Sequence, residues 1–173
     1  MGGLSLVRGA MRYCLGRCDQ MNLSKNFSYE EMTKSQTGSR LGLDNEPDDE
    51  CLEALKLLCE KLLEPIRESL GPVHVNSGYR SGELNRAIGG TATSQHCRGQ
   101  AADIEVPGFS NVELAKWIEA KCDYDQLILE CHKPGVPNSG WVHVSYRASG
   151  NRKQELTATV VNGRMTYTIG IKP

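Results

Sequence analysis

The residues best suited to chemistry are concentrated between positions 77 and 103, in the segment SGYRSGELNRAIGGTATSQHCRGQAAD. Four polar residues of this kind stand among its glycines: Arg80, Ser94, His96 and Asp103. Small residues separate His96 from Asp103, so a loop followed by a strand entering at Ala101 could bring both side chains to one point. A histidine nitrogen and an aspartate oxygen are common zinc ligands, and a catalytic zinc needs a third protein ligand beside an open position.

The candidate for this third ligand is His143, which lies in the alternating segment WVHVSY. If Val142 and Val144 point into the core, alternation turns His143 towards a cleft. The spacing alone equally allows an ordinary strand histidine that is hydrogen-bonded to its neighbours. The other two histidines are expected to be a structural strand residue (His74) and a solvated loop residue (His132).

The elements that must position these residues follow from periodicity and turn signals. A leucine stripe predicts a helix from Pro47 to Leu70, and a capping box at Ser110 predicts another through Lys121. Alternating or apolar runs predict strands over residues 73–76, 101–106, 124–130, 141–147, 155–161 and 165–171, the last two turning at Asn162-Gly163. This pattern predicts an α+β fold with helices packed on a mainly antiparallel sheet.

The composition limits the partners. A chain of 173 residues with a net charge of −1 fits one domain without general attraction to nucleic acid or to an anionic membrane. Residues 1–20 contain arginines and glycines but no continuous apolar run, so we expect an extension without a signal peptide. Residues 21–173 are then one domain with a C-terminal hairpin, expected to be monomeric, and the seven cysteines are expected to be mostly reduced.

The ordered motifs resemble the M15 family of zinc peptidases, and within it the D-Ala-D-Ala carboxypeptidase-like branch of bacteria and phages. The resemblance covers roughly residues 25–147. It rests on TGSRLGLDNEP at 37–47, SGYRS at 77–81, Leu84-Asn85, Gly89-Gly90, SQH at 94–96, Gly99, Ala101, Asp103 and WVHVS at 141–145. It implies a hedgehog/DD-peptidase-like fold in which His96, Asp103 and His143 hold Zn²⁺.

One departure from the family concerns the general base. Other branches carry a catalytic Glu or Asp three residues before the final histidine, where this chain has Gly140. We therefore predict that Glu130 is the base, since it ends a strand opposite Trp141. A solvated strand-end glutamate is the alternative, and Asp125 and Asp123 are the other candidate bases.

The remaining site predictions concern the substrate. Arg80 has a planar donor fork suited to a carboxylate or a developing oxyanion, and the resemblance implies that role. Ser94 and Gln126 are expected to contact the substrate or orient the site, and Tyr79 and Trp141 to form pocket walls.

The expected function is zinc-dependent hydrolysis of the stem peptide of bacterial peptidoglycan, in the manner of a D-Ala-D-Ala carboxypeptidase. An L-Ala-D-Glu endopeptidase of the endolysin type and a non-catalytic wall-binding module are the alternatives. Without a signal peptide, the protein is expected to reach the wall after phage lysis or as a virion component.

Overall fold

The computed structural model describes residues 21–172, so the predicted extension at residues 1–20, with Cys14 and Cys18, lies outside it. Six strands form one sheet in the order β1-β2-β4-β3-β5-β6. Their bounds are β1 His74–Ser77, β2 Ala101–Glu105, β3 Gln126–Glu130, β4 Trp141–Ser145, β5 Gln154–Val161 and β6 Arg164–Ile169. Every pairing is antiparallel except that of β3 with β5. The predicted α+β fold with a mainly antiparallel sheet is confirmed.

Six α-helices and a 3₁₀ turn at Gln95–Arg98 complete this part of the chain. The helices are α1 Tyr29–Thr33, α2 Gln36–Leu41, α3 Asp49–Leu58, α4 Glu64–Leu70, α5 Gly82–Ala87 and α6 Asn111–Lys121. Ser110 and Glu113 form the expected capping box at the start of α6. No helix in residues 21–172 has the length and apolar character needed to cross a membrane.

The long predicted helix differs from the structure in its interior and its start. Asp48 caps α3, so the helix begins after Pro47. A π-helical turn, Cys59–Leu63, then separates α3 from α4. Pro65 explains this break, because proline offers no N–H to the carbonyl four residues back and its ring clashes there. The predicted loop after α1 contains α2, whose single buried residue, Gly38, leaves no apolar stripe to detect.

Alternation divides the sheet into two chemically different faces. Residues on one face of the central strands are buried in the core with the helices: Ala102, Ile104, Leu127, Leu129, Val142 and Val144. The opposite face carries Asp103, His143 and Ile128, which are direct cross-strand partners. Because side chains of directly paired residues lie on the same side of a sheet, these three face away from the helices together.

The C-terminal hairpin continues this second face beyond the central strands. Leu156 of β5 pairs with Ile128, and Ile169 of β6 pairs with Leu156. The turn is at Asn162-Gly163, where both residues have positive φ. The β6 strand is the last in the sheet order and therefore forms an outer edge, and all six of its residues are exposed.

A buried carboxylate ties the start of the described chain to α4. Glu64 accepts hydrogen bonds from the Ser24 hydroxyl at 2.7 Å and from the Asn26 backbone N–H and side-chain amide at 2.6 and 2.7 Å. Burial opposes ionisation of Glu64, but the bonds from Asn26 and Ser24 outweigh it and lower the pKa below its ordinary value. The charged form is therefore the stabilising one.

We predict that Glu64→Gln lowers the free energy of unfolding by about 1–3 kcal/mol at pH 7. A carboxylate with a depressed pKa stabilises the fold above the unfolded-state pKa and loses this effect as the pH falls through the folded value. The difference from wild type should therefore shrink as the pH falls below the ordinary glutamate value of 4.5. Urea unfolding at several pH values measures it. Glu68→Gln, on the exposed side of α4, is the control and should change little, and equal losses in both variants would refute the assignment.

Candidate metal centre and cleft

Three potential ligand atoms converge on the side of the central strands that faces away from the helices. His96 Nε2 lies 3.2 Å from His143 Nδ1 and 3.3 Å from Asp103 Oδ1. His143 Nδ1 lies 3.0 Å from the same Asp103 oxygen. All three residues are buried, and together they form a group able to hold a metal ion.

Backbone pairing positions two of these ligands. Asp103 on β2 and His143 on β4 are cross-strand partners, so the register of this pair alone puts both side chains side by side on one face. His96 arrives separately on the 3₁₀ turn that precedes β2. The third ligand therefore depends on how that turn is held against the sheet.

The ring of His96 is oriented by a backbone carbonyl. Its Nδ1–H donates to the Gly78 oxygen at 2.7 Å, which leaves the Nε2 lone pair facing the other ligands. Gly78 has no room for a side chain, because a Cβ there would lie 2.3 Å from the Met32 carbonyl oxygen. The Arg80 backbone N–H also donates to the His96 oxygen at 3.2 Å, which ties the turn to the segment after β1.

The Asp103 carboxylate lies between the Arg80 guanidinium and two imidazole rings. Its Oδ1 faces the two histidines, and its Oδ2 accepts a hydrogen bond from the Arg80 guanidinium. Burial opposes its ionisation, but His96 and His143 outweigh burial and hold the pKa of Asp103 well below its usual range. Asp103 is therefore an anionic ligand, as metal binding requires.

The donor set fits a tetrahedral metal. Ligand bonds of about 2.0–2.2 Å at tetrahedral angles require ligand atoms to lie about 3.3–3.6 Å apart. The three observed separations, 3.0, 3.2 and 3.3 Å, are close to this spacing. Two imidazole nitrogens and one carboxylate oxygen also match the three-ligand composition of catalytic sites that leave one position open.

These ligands lie in a cleft of about 830 Å³ that also contains the predicted base. Glu130 ends β3 opposite Trp141, two residues along the strand from the partner of His143. Burial raises the pKa of Glu130; Asp103 adds to the rise, and His143 and Arg80 oppose it. A glutamate with a raised pKa beside a metal centre can take and return a proton near neutral pH.

Gly140 stands where the resemblance places a catalytic carboxylate in other branches, and its backbone leaves no room for a side chain. Its φ is +69°, and a Cβ at this position would lie 1.7 Å from the Glu130 carbonyl oxygen. The backbone therefore excludes any side chain three residues before His143. Glu130, on the neighbouring strand, brings a carboxylate to the same cleft instead.

The other predicted substrate residues divide into two groups. Arg80, Ser94, Gln126 and Trp141 line the cleft. Tyr79 does not: the residue is 9 % exposed, packs against the core and lines a neighbouring pocket together with Arg80. Its N–H donates to the Met32 oxygen at 2.7 Å.

The other two candidate bases and the remaining loop histidine lie in three different environments. Asp125 borders the cleft, but it is fully buried and both of its oxygens accept hydrogen bonds from Arg152. Asp123 is outside the cleft lining and lies 3.9 Å from the Lys153 ammonium. His132 was predicted to be solvated, which is wrong: it is 3 % exposed, and its backbone N–H donates to Ala158 on β5.

Several cleft residues escaped the sequence-based prediction. Ile128, Met165 and Tyr167 line the cleft along with three arginines, Arg98, Arg147 and Arg152. The alternation of Met165, Tyr167 and Ile169 in β6 carried a usable signal for one apolar face. The arginines carried none, because they lie in polar segments that look like solvated loops.

Comparison with known proteins decides the family. The family model described as Peptidase M15 matches residues 25–145, about 70 % of the chain. The chain belongs to the peptidase M15 family. The match makes it a metallopeptidase by family, and the cluster of His96, Asp103 and His143 provides a site for the metal on which M15 peptidases depend. No curated protein matches the chain. The β5–β6 hairpin of this M15 peptidase lies after the matched region.

We predict that His96→Ala lowers affinity for a divalent metal by more than the roughly 10–100-fold typical of losing an outer-shell partner. The variant removes a direct ligand atom, so the remaining two hold the ion weakly. Zinc titration against a competing chelator measures the change. His74→Ala, on the exposed side of β1, is the control and should bind zinc like the wild type; unchanged affinity in His96→Ala would exclude this residue as a ligand.

Proposed function

We propose that this M15 peptidase uses Zn²⁺ to hydrolyse the stem peptide of bacterial peptidoglycan. The observation that supports it best is the group of three ligand atoms 3.0–3.3 Å apart in one cleft with a partly buried glutamate. The family match limits the chemistry to peptide hydrolysis, and the ligands line a cleft of about 830 Å³.

In this proposal His96, Asp103 and His143 hold the zinc, and the chain's other cleft residues do the rest. Zinc held there supplies Lewis acidity, which polarises the scissile carbonyl and acidifies the attacking water. Glu130 accepts a proton from that water at a carboxylate oxygen and passes it to the leaving amine. Its raised pKa suits the first step, because a more basic carboxylate takes the proton more readily.

Arg80 has two roles in the proposed site. Its guanidinium positions Asp103, and its Nε–H donates to the Ser77 hydroxyl at 2.7 Å. A guanidinium carries five N–H donors, so donors remain for a substrate carboxylate or for the oxygen that becomes negative during hydrolysis. Trp141 forms part of the wall of the same cleft.

We predict that Glu130→Gln binds zinc normally and loses at least about 100-fold in kcat, the lower range for removing a general base. The amide keeps the size of the side chain but cannot accept the proton. Zinc content and hydrolysis are measured on the same preparation. Glu83→Gln, exposed on α5, should match the wild type in both assays.

Zinc-loaded Glu130→Gln with full activity would remove Glu130 from the mechanism. Loss of both zinc and activity would instead point to a structural role for this residue.

We predict that zinc-loaded protein cleaves purified peptidoglycan and that a chelator stops the cleavage. Mass spectrometry of the products names the bond. Loss of a terminal alanine identifies a D-Ala-D-Ala carboxypeptidase, whereas a cut after the first stem residue identifies an L-Ala-D-Glu endopeptidase. Stoichiometric zinc without any product would overturn the proposed activity and favour a wall-binding module.

A further inference from the structure

Three arginines line the cleft in addition to Arg80. Arg98, Arg147 and Arg152 border the same cavity as the metal ligands. We call this group the arginine arm. The side chains of Arg147 and Arg152 are 44 % and 50 % exposed, so both are accessible to a ligand in solution.

A buried carboxylate at the base of the arm holds it in place. Asp125 is 0 % exposed. It accepts hydrogen bonds from Arg152 Nε at 2.9 Å and Nη2 at 2.6 Å, and a third from Gln95 Nε2 at 2.9 Å. Arg147 Nη1 lies 3.7 Å from the same carboxylate. The arm is therefore a built feature of the cleft, anchored beside the residue that precedes His96.

The arm carries an excess of positive charge. Arg147 and Arg152 flank one carboxylate, that of Asp125, and the other cleft acids are Asp103, which pairs with Arg80, and Glu130. The pKa of Asp125 is lowered because Arg152 and Gln95 outweigh the effect of its burial, so its single negative charge persists at neutral pH. The other two guanidinium charges are not balanced within the cleft.

The strand register relates the start of β3, which follows the arm's anchor Asp125, to the metal ligands. Gln126 pairs with Ser145, two residues along the strands from the pair formed by Ile128 and His143. Two strand residues span about 7 Å. Glu130 and Trp141 lie in the opposite direction. An extended peptide advances by about 3.3 Å per residue, so the start of β3, next to the arm's anchor Asp125, lies about two peptide residues from the metal ligands.

We propose that the arginine arm binds a carboxylate of the peptide substrate and makes the enzyme select anionic peptides. This inference rests on the proposed function, because it concerns the same cleft. In a stem peptide cut as by an L-Ala-D-Glu endopeptidase, the matching group is the free α-carboxylate of the glutamate at the second position, which directly follows the scissile bond. Guanidinium groups suit this ligand through paired, charge-assisted hydrogen bonds.

The test compares two synthetic stem peptides that differ only in this group, one with the free carboxylate and one with the amide. Their affinities for zinc-loaded Glu130→Gln protein are measured by calorimetry, so that binding is read without turnover. The carboxylate peptide should bind at least about 10-fold more tightly, as charged hydrogen bonds predict. The preference should weaken as salt is raised, because the arm is partly exposed.

Adding Arg98→Gln and Arg147→Gln to this protein should abolish the preference and leave affinity for the amide peptide unchanged. Both substitutions spare Arg152 and its bonds to the buried Asp125. Arg40→Gln, exposed on α2, is the control and should keep the preference.

Equal affinity for the two peptides, no binding of either, or a preference that survives the double substitution would each overturn the proposal. The peptidoglycan digestion answers separately whether the protein is a hydrolase. An active hydrolase that shows no preference for the carboxylate peptide is therefore distinguishable from a protein without hydrolase activity.

Discussion

The site depends on keeping one carboxylate ionised inside the protein. Burying an isolated charge is costly unless it is paired and hydrogen-bonded. Asp103 meets this condition through Arg80 on one oxygen and two imidazole rings on the other. The surrounding architecture serves this arrangement: Gly78 orients His96, and the Arg80 backbone holds the turn that carries it.

The antiparallel pair of β2 and β4 makes the metal centre possible. Direct pairing of Asp103 with His143 puts a carboxylate and an imidazole on the solvent side while Ala102 and Val144 enter the core. A slip of one residue would exchange the two faces of a strand. The apolar core therefore fixes the position of the ligands, since burial of Val142 and Val144 leaves His143 only one direction.

Alternation and motif order were the informative signals in the sequence. They predicted the strands, their antiparallel arrangement and the three residues that the structure brings together as a cluster able to hold a metal. They also predicted Glu130 at a strand end near Trp141, where the structure places it, although its catalytic role stays a prediction.

The failures arose where tertiary contacts override local pattern. His132 lies in a polar loop yet is buried against β5. The parallel pairing of β5 with β3 is not predicted by the residues near β3. The arm was missed for the same reason: Arg98, Arg147 and Arg152 converge only after the sheet has formed.

The apolar residues that β6 adds to the cleft lie on an exposed edge strand, and such a strand favours association between chains in concentrated solution. An edge strand presents unpaired N–H and C=O groups, and an exposed apolar edge is a template for pairing with another chain. Tyr167 and Ile169 are 53 % and 85 % exposed on this edge. Charged residues flank the strand, Arg164 at its start and Lys172 after its end. Charges beside an exposed apolar strand are the device by which edge strands are kept from pairing with another chain.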